Sequence, residues 1–356
     1  MSALCQKQTF RPLANIIVVC LGRRSNSRGI TMKLPRRNFL LLAAAAAALP
    51  AVSRIARAQT YPSRPVRWIV GFSAGGTTDI LARLMSQWLS ERLGQQFIIE
   101  NRPGAGTNIA LQAAVNSRPD GYTLVSVTSS NASNATLYES LPFNLQRDII
   151  PVAALSRGAL VLEVNPSISI KSVAEFIAHA KTNPGKTSVA SFGVGSTSHL
   201  AQELFKVMTG INVVHVPYLG DAPALTDTII GQVQATFGNV VASLEYVRTG
   251  KLRALGVTSA TRWQTLPEVP TIGDFVPGYE VNIWNGVGTP RATPKEIVEK
   301  LNSEINAGLA DPKIRARLAE LGSVPTPLSP TEFGKLWADD TEKWGKVIRA
   351  ANIKPE

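Results

Sequence analysis

Short apolar runs alternate along the chain with stretches whose apolar residues recur at helical spacing. The runs Val66–Phe72, Gln96–Ile99, Tyr122–Thr128, Val152–Leu155, Leu160–Val164, Thr187–Ser191, Val213–Val216, Val233–Phe237 and Arg253–Thr258 read as strands. Helical spacing marks Thr78–Leu93, Thr107–Asn116, Ser172–Lys181, Ser198–Met208, Ala222–Ile230, Ala242–Thr249, Pro294–Leu309 and Pro312–Leu321. Gly94 and Gly210 stand where helices end on a left-handed residue, and Pro294 and Pro312 where first-turn prolines belong. Phe333, Trp337, Trp344 and Ile348 share one face of Pro330–Ala351 and predict a packed terminal helix. This alternation predicts an α/β fold with mostly parallel sheets flanked by helices. Ser156-Arg157-Gly158 separates two adjacent strands, and Pro267–Pro290, rich in proline and glycine, predicts no helix. Two such crossings divide the chain into a lobe of residues 59–160 plus 283–356 and a lobe of residues 161–282. No internal repeat stands out after Gln59.

Residues 1–58 fall outside this pattern. They carry ten Lys and Arg and no Asp or Glu, and Arg36-Arg37 precedes an apolar run from Leu40 to Leu49. That run is too short to span a bilayer but suits an export leader, with Ala56-Arg57-Ala58 as the cleavage site. The paired arginines favour twin-arginine export over the general secretory route. Met32 opens a compact leader of its own, so residues 1–31 are expected to be an over-extended start. Removing the leader lowers the formal charge from +12 to +2 and takes away both cysteines, Cys5 and Cys20. A nearly neutral, thiol-free remainder argues against nucleic-acid binding, disulfides and thiolate chemistry.

The chemistry concentrates where strands run into helices. Phe72-Ser73-Ala74-Gly75-Gly76-Thr77-Thr78-Asp79 ends a strand and opens a helix, which aims backbone N–H groups and a positive dipole end at one point. The same stretch has a rival reading as a G-x-S-x-G nucleophile elbow with Ser73 as nucleophile, and a plainer one as a packing turn. An elbow needs a triad, and the chain holds only His179, His199 and His215. A second turn, Gly193-Val194-Gly195-Ser196-Thr197-Ser198-His199, repeats the strand-to-helix setting. It misses the dinucleotide pattern at Ser198, and it either grips a second anionic group or simply caps a helix with Ser196 or Thr197. Arg102, in Asn101–Thr107, could pair with a ligand carboxylate or form a structural salt bridge. Tyr218 lines a cleft or packs. Nothing in the spacing of His, Asp or Glu points to a metal.

Several motifs recur in one family in this order: Phe72–Asp79, Asn101–Gly106, Pro119-Asp120-Gly121-Tyr122-Thr123-Leu124, Val216-Pro217-Tyr218, Gly250-Lys251-Leu252-Arg253-Ala254-Leu255 and Leu266-Pro267-Glu268-Val269-Pro270-Thr271. On these the chain resembles the Bug family, the periplasmic solute receptors of tripartite tricarboxylate transporters, from about Tyr61 to Ile353. The resemblance implies a two-lobed periplasmic binding protein fold of type II character. It implies no cofactor and no catalysis, a monomer that closes on a small organic carboxylate in the periplasm, and membrane components of a transporter as partners. A secreted serine hydrolase and a periplasmic sensor are the alternatives. Carried over, Phe72, Ala74, Gly75, Gly76 and Thr77 hold the ligand carboxylate through backbone N–H groups and ordered water, with Asp79 near the helix start. Ser129, Gly195, Ser196, Thr197 and His199 complete the cleft, and Tyr218, Gly220, Asp221 and Ala222 line the other lobe. Pro is frequent where this chain has Gly71. Asp is frequent after the Phe at the strand end, where this chain has Gly238-Asn239. The neutral Asn239 there predicts a ligand without an amino group.

Overall fold

The computed structural model describes residues 61–138, 140–350 and 352–354. The expected leader, with both cysteines and the paired arginines, lies outside the described residues. The described residues belong to one compact unit. In chain order its elements are β1 (Val66–Val70), α1 (Thr77–Leu93), β2 (Phe97–Asn101), α2 (Asn108–Val115), β3 (Thr123–Thr128), α3 (Ser129–Leu137), α4 (Leu145–Asp148) and β4 (Ile149–Val164). Next come α5 (Val173–Thr182), β5 (Ser188–Ser191), α6 (Thr197–Thr209), β6 (Val214–Pro217), α7 (Asp221–Ile229), β7 (Ala235–Asn239), α8 (Val240–Arg248) and β8 (Arg253–Val257). The chain ends with β9 (Asn282–Pro290), α9 (Lys295–Ala310), α10 (Pro312–Glu320), β10 (Val324–Pro325) and α11 (Pro330–Ala350).

The strand order is β2-β1-β3-β9-β4-β7-β5-β6, with β8 and β10 also pairing β4. β1 pairs β2 and β3 in parallel, and β5 likewise pairs β6 and β7. Around β4 and β9 the pairing is antiparallel. The sheets are therefore mixed, a correction to the mostly parallel sheets expected. The two long strands β4 and β9 run antiparallel to each other and to their neighbours β3 and β7, so the pairings around them are not those of a parallel βαβ unit.

β4 is the spine. Its first part, Ile149 to Ala159, pairs β9, and its second, Leu160 to Val164, pairs β7. Ser156-Arg157-Gly158 does not interrupt it. Arg157 pairs Trp284 and Gly158 pairs Ile283, and register shifts between Pro151 and Ala153 and between Ala154 and Ser156 let the strand bend without breaking.

Local signals hold at the helix ends. Gly94 and Gly210 adopt φ of 69° and 68°, the left-handed geometry that closes α1 and α6. Asp311 caps α10 by accepting from the Lys313 and Ile314 amides at 2.9 and 3.1 Å, with Pro312 in the first turn. Pro294 sits one residue ahead of its helix as the N-cap of α9. Phe333, Trp337, Trp344 and Ile348 are buried on one face of α11. The Trp284 ring stands nearly perpendicular to Phe333 with centroids 5.4 Å apart, which ties the terminal helix to β9.

Candidate functional site

β1 and β5 end in the same way. Val70-Gly71-Phe72-Ser73-Ala74-Gly75-Gly76-Thr77-Thr78-Asp79 and Ala190-Ser191-Phe192-Gly193-Val194-Gly195-Ser196-Thr197-Ser198-His199 align residue for residue. Each leads from a strand into a helix. In each, the second glycine takes a positive φ, 82° at Gly75 and 79° at Gly195. In each, the side chain four residues on accepts that glycine's N–H: Asp79 Oδ2 from Gly75 at 2.9 Å, His199 Nδ1 from Gly195 at 3.2 Å. Asp79 and His199 thus brace the loops from behind. Arg83 Nε and Asn101 Nδ2 donate to Asp79 at 2.9 and 3.0 Å. Burial raises the Asp79 carboxyl, and the bonds from Arg83, Gly75 and Asn101 outweigh it to leave the group more acidic than usual. Burial, with the neighbouring His215 and Lys206, lowers His199 to about 3, so the imidazole is neutral and Nδ1 is free to accept. Its ring stacks on His215 with centroids 4.1 Å apart.

Between the loops lies a cavity of about 20 Å³ that Phe72 and Phe192 both line. Hydroxyls of Thr78, Ser129, Ser130 and Thr197 and the side chains of Asn239, Asn285 and Asp221 complete most of its polar wall. No Lys or Arg among the described residues lines it. Thr77 N–H donates to Asp221 Oδ2 at 2.8 Å, and Thr197 N–H to Ser130 Oγ at 3.0 Å. Each helix start therefore sends its threonine amide across the cleft to a side chain at the head of a facing helix, α7 or α3. Thr197 Oγ1 also lies 2.9 Å from Ser129 Oγ and 3.1 Å from Ser130 Oγ. Ser73 N–H donates to Leu219 O at 2.9 Å.

Of the residues expected at the site, Phe72, Ser129, Thr197, Asp221 and Asn239 line this cavity. Tyr218 lines a neighbouring one with Phe72, and its hydroxyl donates to Asp227 at 2.7 Å. Gly76 and Thr77 sit against Asp221. Ala222 packs near Gly75, where an added Cβ would come within 3.7 Å of it. Ala74 and Gly75 are exposed at the turn. Ser196 caps α6 by accepting the His199 amide at 3.2 Å. Gly220, at φ 147°, lies so close to Ser73 that a Cβ would sit 2.5 Å from its Oγ. Arg102 pairs with Glu100 at 2.6 Å, the structural alternative.

Thr78, Thr128, Ser130, Phe192 and the Ile283–Asn285 segment also line the cavity and were not foreseen. The correspondence of the two loops, offset by 120 positions, would have singled out Phe192 as the partner of Phe72. Asn239 Nδ2 donates to both oxygens of Asp221, at 2.9 and 3.0 Å, so a carboxyl lines the wall directly behind it. A Cβ at Gly238 would sit 2.1 Å from Oε1 of the fully buried Glu163, so that carboxyl fills the space a side chain at 238 would need.

Residues 81–353 match the model of the tripartite tricarboxylate transporter family receptor. Protein BugT of Bordetella pertussis (strain Tohama I) is 36% identical over 300 residues, which cover 83% of this chain and 92% of BugT. Among solved structures, R. palustris Rpa4515 with adipate superimposes with a TM-score of 0.81 at 39% identity, covering 83% of this chain and all of that one. MatC (Rpa3494) from Rhodopseudomonas palustris with bound malate gives a TM-score of 0.78 at 30% identity, covering 81% of this chain and all of MatC.

Proposed function

Because this chain belongs to the tripartite tricarboxylate transporter receptor family, we propose that it captures a small organic carboxylate and hands it to the membrane components of such a transporter. The lobes are residues 59–160 with 283–356, and residues 161–282, and the ligand binds between them. The chain is exported to the periplasm with residues 1–58 removed, and it acts there as a monomer without a cofactor. No helix among the described residues is long and apolar enough to cross a membrane.

The observation that carries this reading is the pair of matched loops facing one cavity whose polar wall is hydroxyls and amides beside the single carboxyl of Asp221, with no cation among the described residues that line it. A carboxylate held by such neutral dipoles is desolvated without a fixed counter-charge, so it leaves when the lobes part. The relatives solved with adipate and malate support a carboxylate as the ligand class. A thermal-shift screen of mono-, di- and tricarboxylates tests it, since a ligand that binds only the folded state raises its melting temperature. No shift with any carboxylate would end the proposal.

Catalysis at Ser73 finds no support. Its Oγ is buried without a hydrogen-bond partner. A Ser–His contact does occur elsewhere, Ser191 Oγ to His215 Nε2 at 2.6 Å, but Ser191 is fully buried beneath the second loop. Ser73→Ala is expected to leave ligand affinity within about twofold, because a spacer hydroxyl with no partner contributes little. Esterase activity that vanished in this variant would restore the hydrolase.

A further inference from the structure

The cleft has two chambers, and their chemistry differs. The polar one, about 20 Å³, is lined mainly by hydroxyls and side-chain amides. Beyond Phe72 and Phe192, which line both, opens a second chamber of about 410 Å³. That size lies within the range of small-molecule sites. Its walls include Gly104, Ala105, Gly106 and Gly193, the rings of Tyr138 and Tyr218, and the side chains of Val194 and Leu219.

Among the described residues, no Lys, Arg, His, Asp or Glu lines this chamber. The two tyrosine hydroxyls are already engaged, Tyr138 with Val194 O at 3.2 Å and Tyr218 with Asp227 at 2.7 Å. What the rings offer the chamber is carbon. The glycines keep it open: an added Cβ at Gly106 would lie 2.7 Å from the Tyr138 hydroxyl, and one at Gly193 3.0 Å from Tyr218 O.

We infer that the ligand is a monocarboxylate with an uncharged, aryl-sized tail. The carboxylate enters the polar chamber, and the tail passes between Phe72 and Phe192 into the uncharged one. This rests on the carboxylate-receptor reading and narrows it. A dicarboxylate long enough to reach the second chamber would set its far carboxylate against the Tyr138 and Tyr218 rings, Val194 and Leu219, where neither tyrosine hydroxyl is left to donate, a costly desolvation. An aromatic ring in the same place buries apolar surface against rings.

Calorimetry on the purified protein with 3-phenylpropanoate and adipate tests this. The aryl monocarboxylate is expected to bind more tightly by roughly tenfold or more. Leu219 is 58% exposed, so Leu219→Lys introduces a cation at the chamber wall without disturbing the core. It is expected to narrow or reverse that preference. Adipate binding as tightly as 3-phenylpropanoate, or a preference that Leu219→Lys leaves unchanged, overturns the inference while the receptor reading stands. Binding of neither these two nor any carboxylate in the thermal screen overturns both.

Discussion

Glu163 shows how one residue shapes the cleft without touching ligand. It lies on β4, fully buried, with Ser243 Oγ donating to Oε1 at 2.7 Å. Burial pushes its carboxyl up to about 8, Ser243 opposes the shift, and the neighbouring Asp221 adds to it. At neutral pH the group is therefore mostly protonated in the folded protein and ionised in the unfolded one. Between an ordinary glutamate pKa of about 4.5 and its folded value of about 8, the folded state holds more protons, so stability falls as pH rises. His199 acts in the opposite sense. Its folded value of about 3 lies below the ordinary 6.5, so stability is lost as pH falls through that window. Glu163→Gln removes only the alkaline limb. Melting temperatures from pH 4 to 9 should show the wild type losing at least about 3 °C relative to Glu163→Gln between pH 5 and 8. Parallel curves would mean that Glu163 is not protonated in the fold.

Elements whose signal is local were legible in the chain, and those stabilised from afar were not. The amphipathic helices, their glycine stops and both glycine loops read directly, because spacing and φ requirements are written in consecutive residues. α3 did not. Its sequence SSNASNATL has no apolar stripe and weak helix propensity. It is satisfied instead by partners far along the chain, such as Ser133 Oγ to Gly195 O at 3.0 Å and Asn134 Nδ2 to Gly106 O at 2.9 Å. β9 hid behind its glycines. An added Cβ would lie 2.2 Å from the Phe333 ring at Gly286 and 2.5 Å from Ile149 at Gly288, so they mark close packing rather than a break in the strand. Site residues followed the same division. Phe72, Thr197 and Asp221 lie on legible loop-to-helix turns, whereas Ser130 and Asn285 lie on the two elements the pattern misses. Close approach also yields a prediction at Gly220. Gly220→Ala places a Cβ 2.5 Å from Ser73 Oγ and 3.0 Å from Ser73 N at φ 147°, which holds the facing loops apart. Ligand affinity is expected to fall by about tenfold or more, with stability down by roughly 1–3 kcal/mol. Adding Ser73→Ala removes the nearer obstacle and should restore part of the affinity. Equal affinity in both variants would show that this contact does not govern closure.

At the scale of the whole molecule, β4 is the strand that the two proposed lobes share, and its geometry bears on whether the proposed capture is reversible. It passes from one sheet to the other at Ala159 and Leu160, the pairing changing from β9 to β7 there. The hydrogen bonds that span the cleft include Thr77 to Asp221, Ser129 and Ser130 to Thr197, Ser73 to Leu219, Ser133 to Gly195 and Tyr138 to Val194. Each contributes about 1 kcal/mol net, because water replaces it when the lobes part. Bonds of this size leave the closed state within reach of a ligand's differential affinity, which is what a receptor that must also release requires. Cysteine is absent among the described residues, so labels can be placed singly by design. Glu91 on α1 and Glu245 on α8 are exposed positions in the two proposed lobes. Spin labels at Glu91→Cys and Glu245→Cys should give a broad distance distribution without ligand. Any carboxylate that raises the melting temperature should sharpen it toward the short end. Gly220→Ala should keep the distribution broad at the same ligand concentration. A distribution that no stabilising ligand alters would mean that the bend in β4 is fixed, and that ligand enters a cleft that does not close.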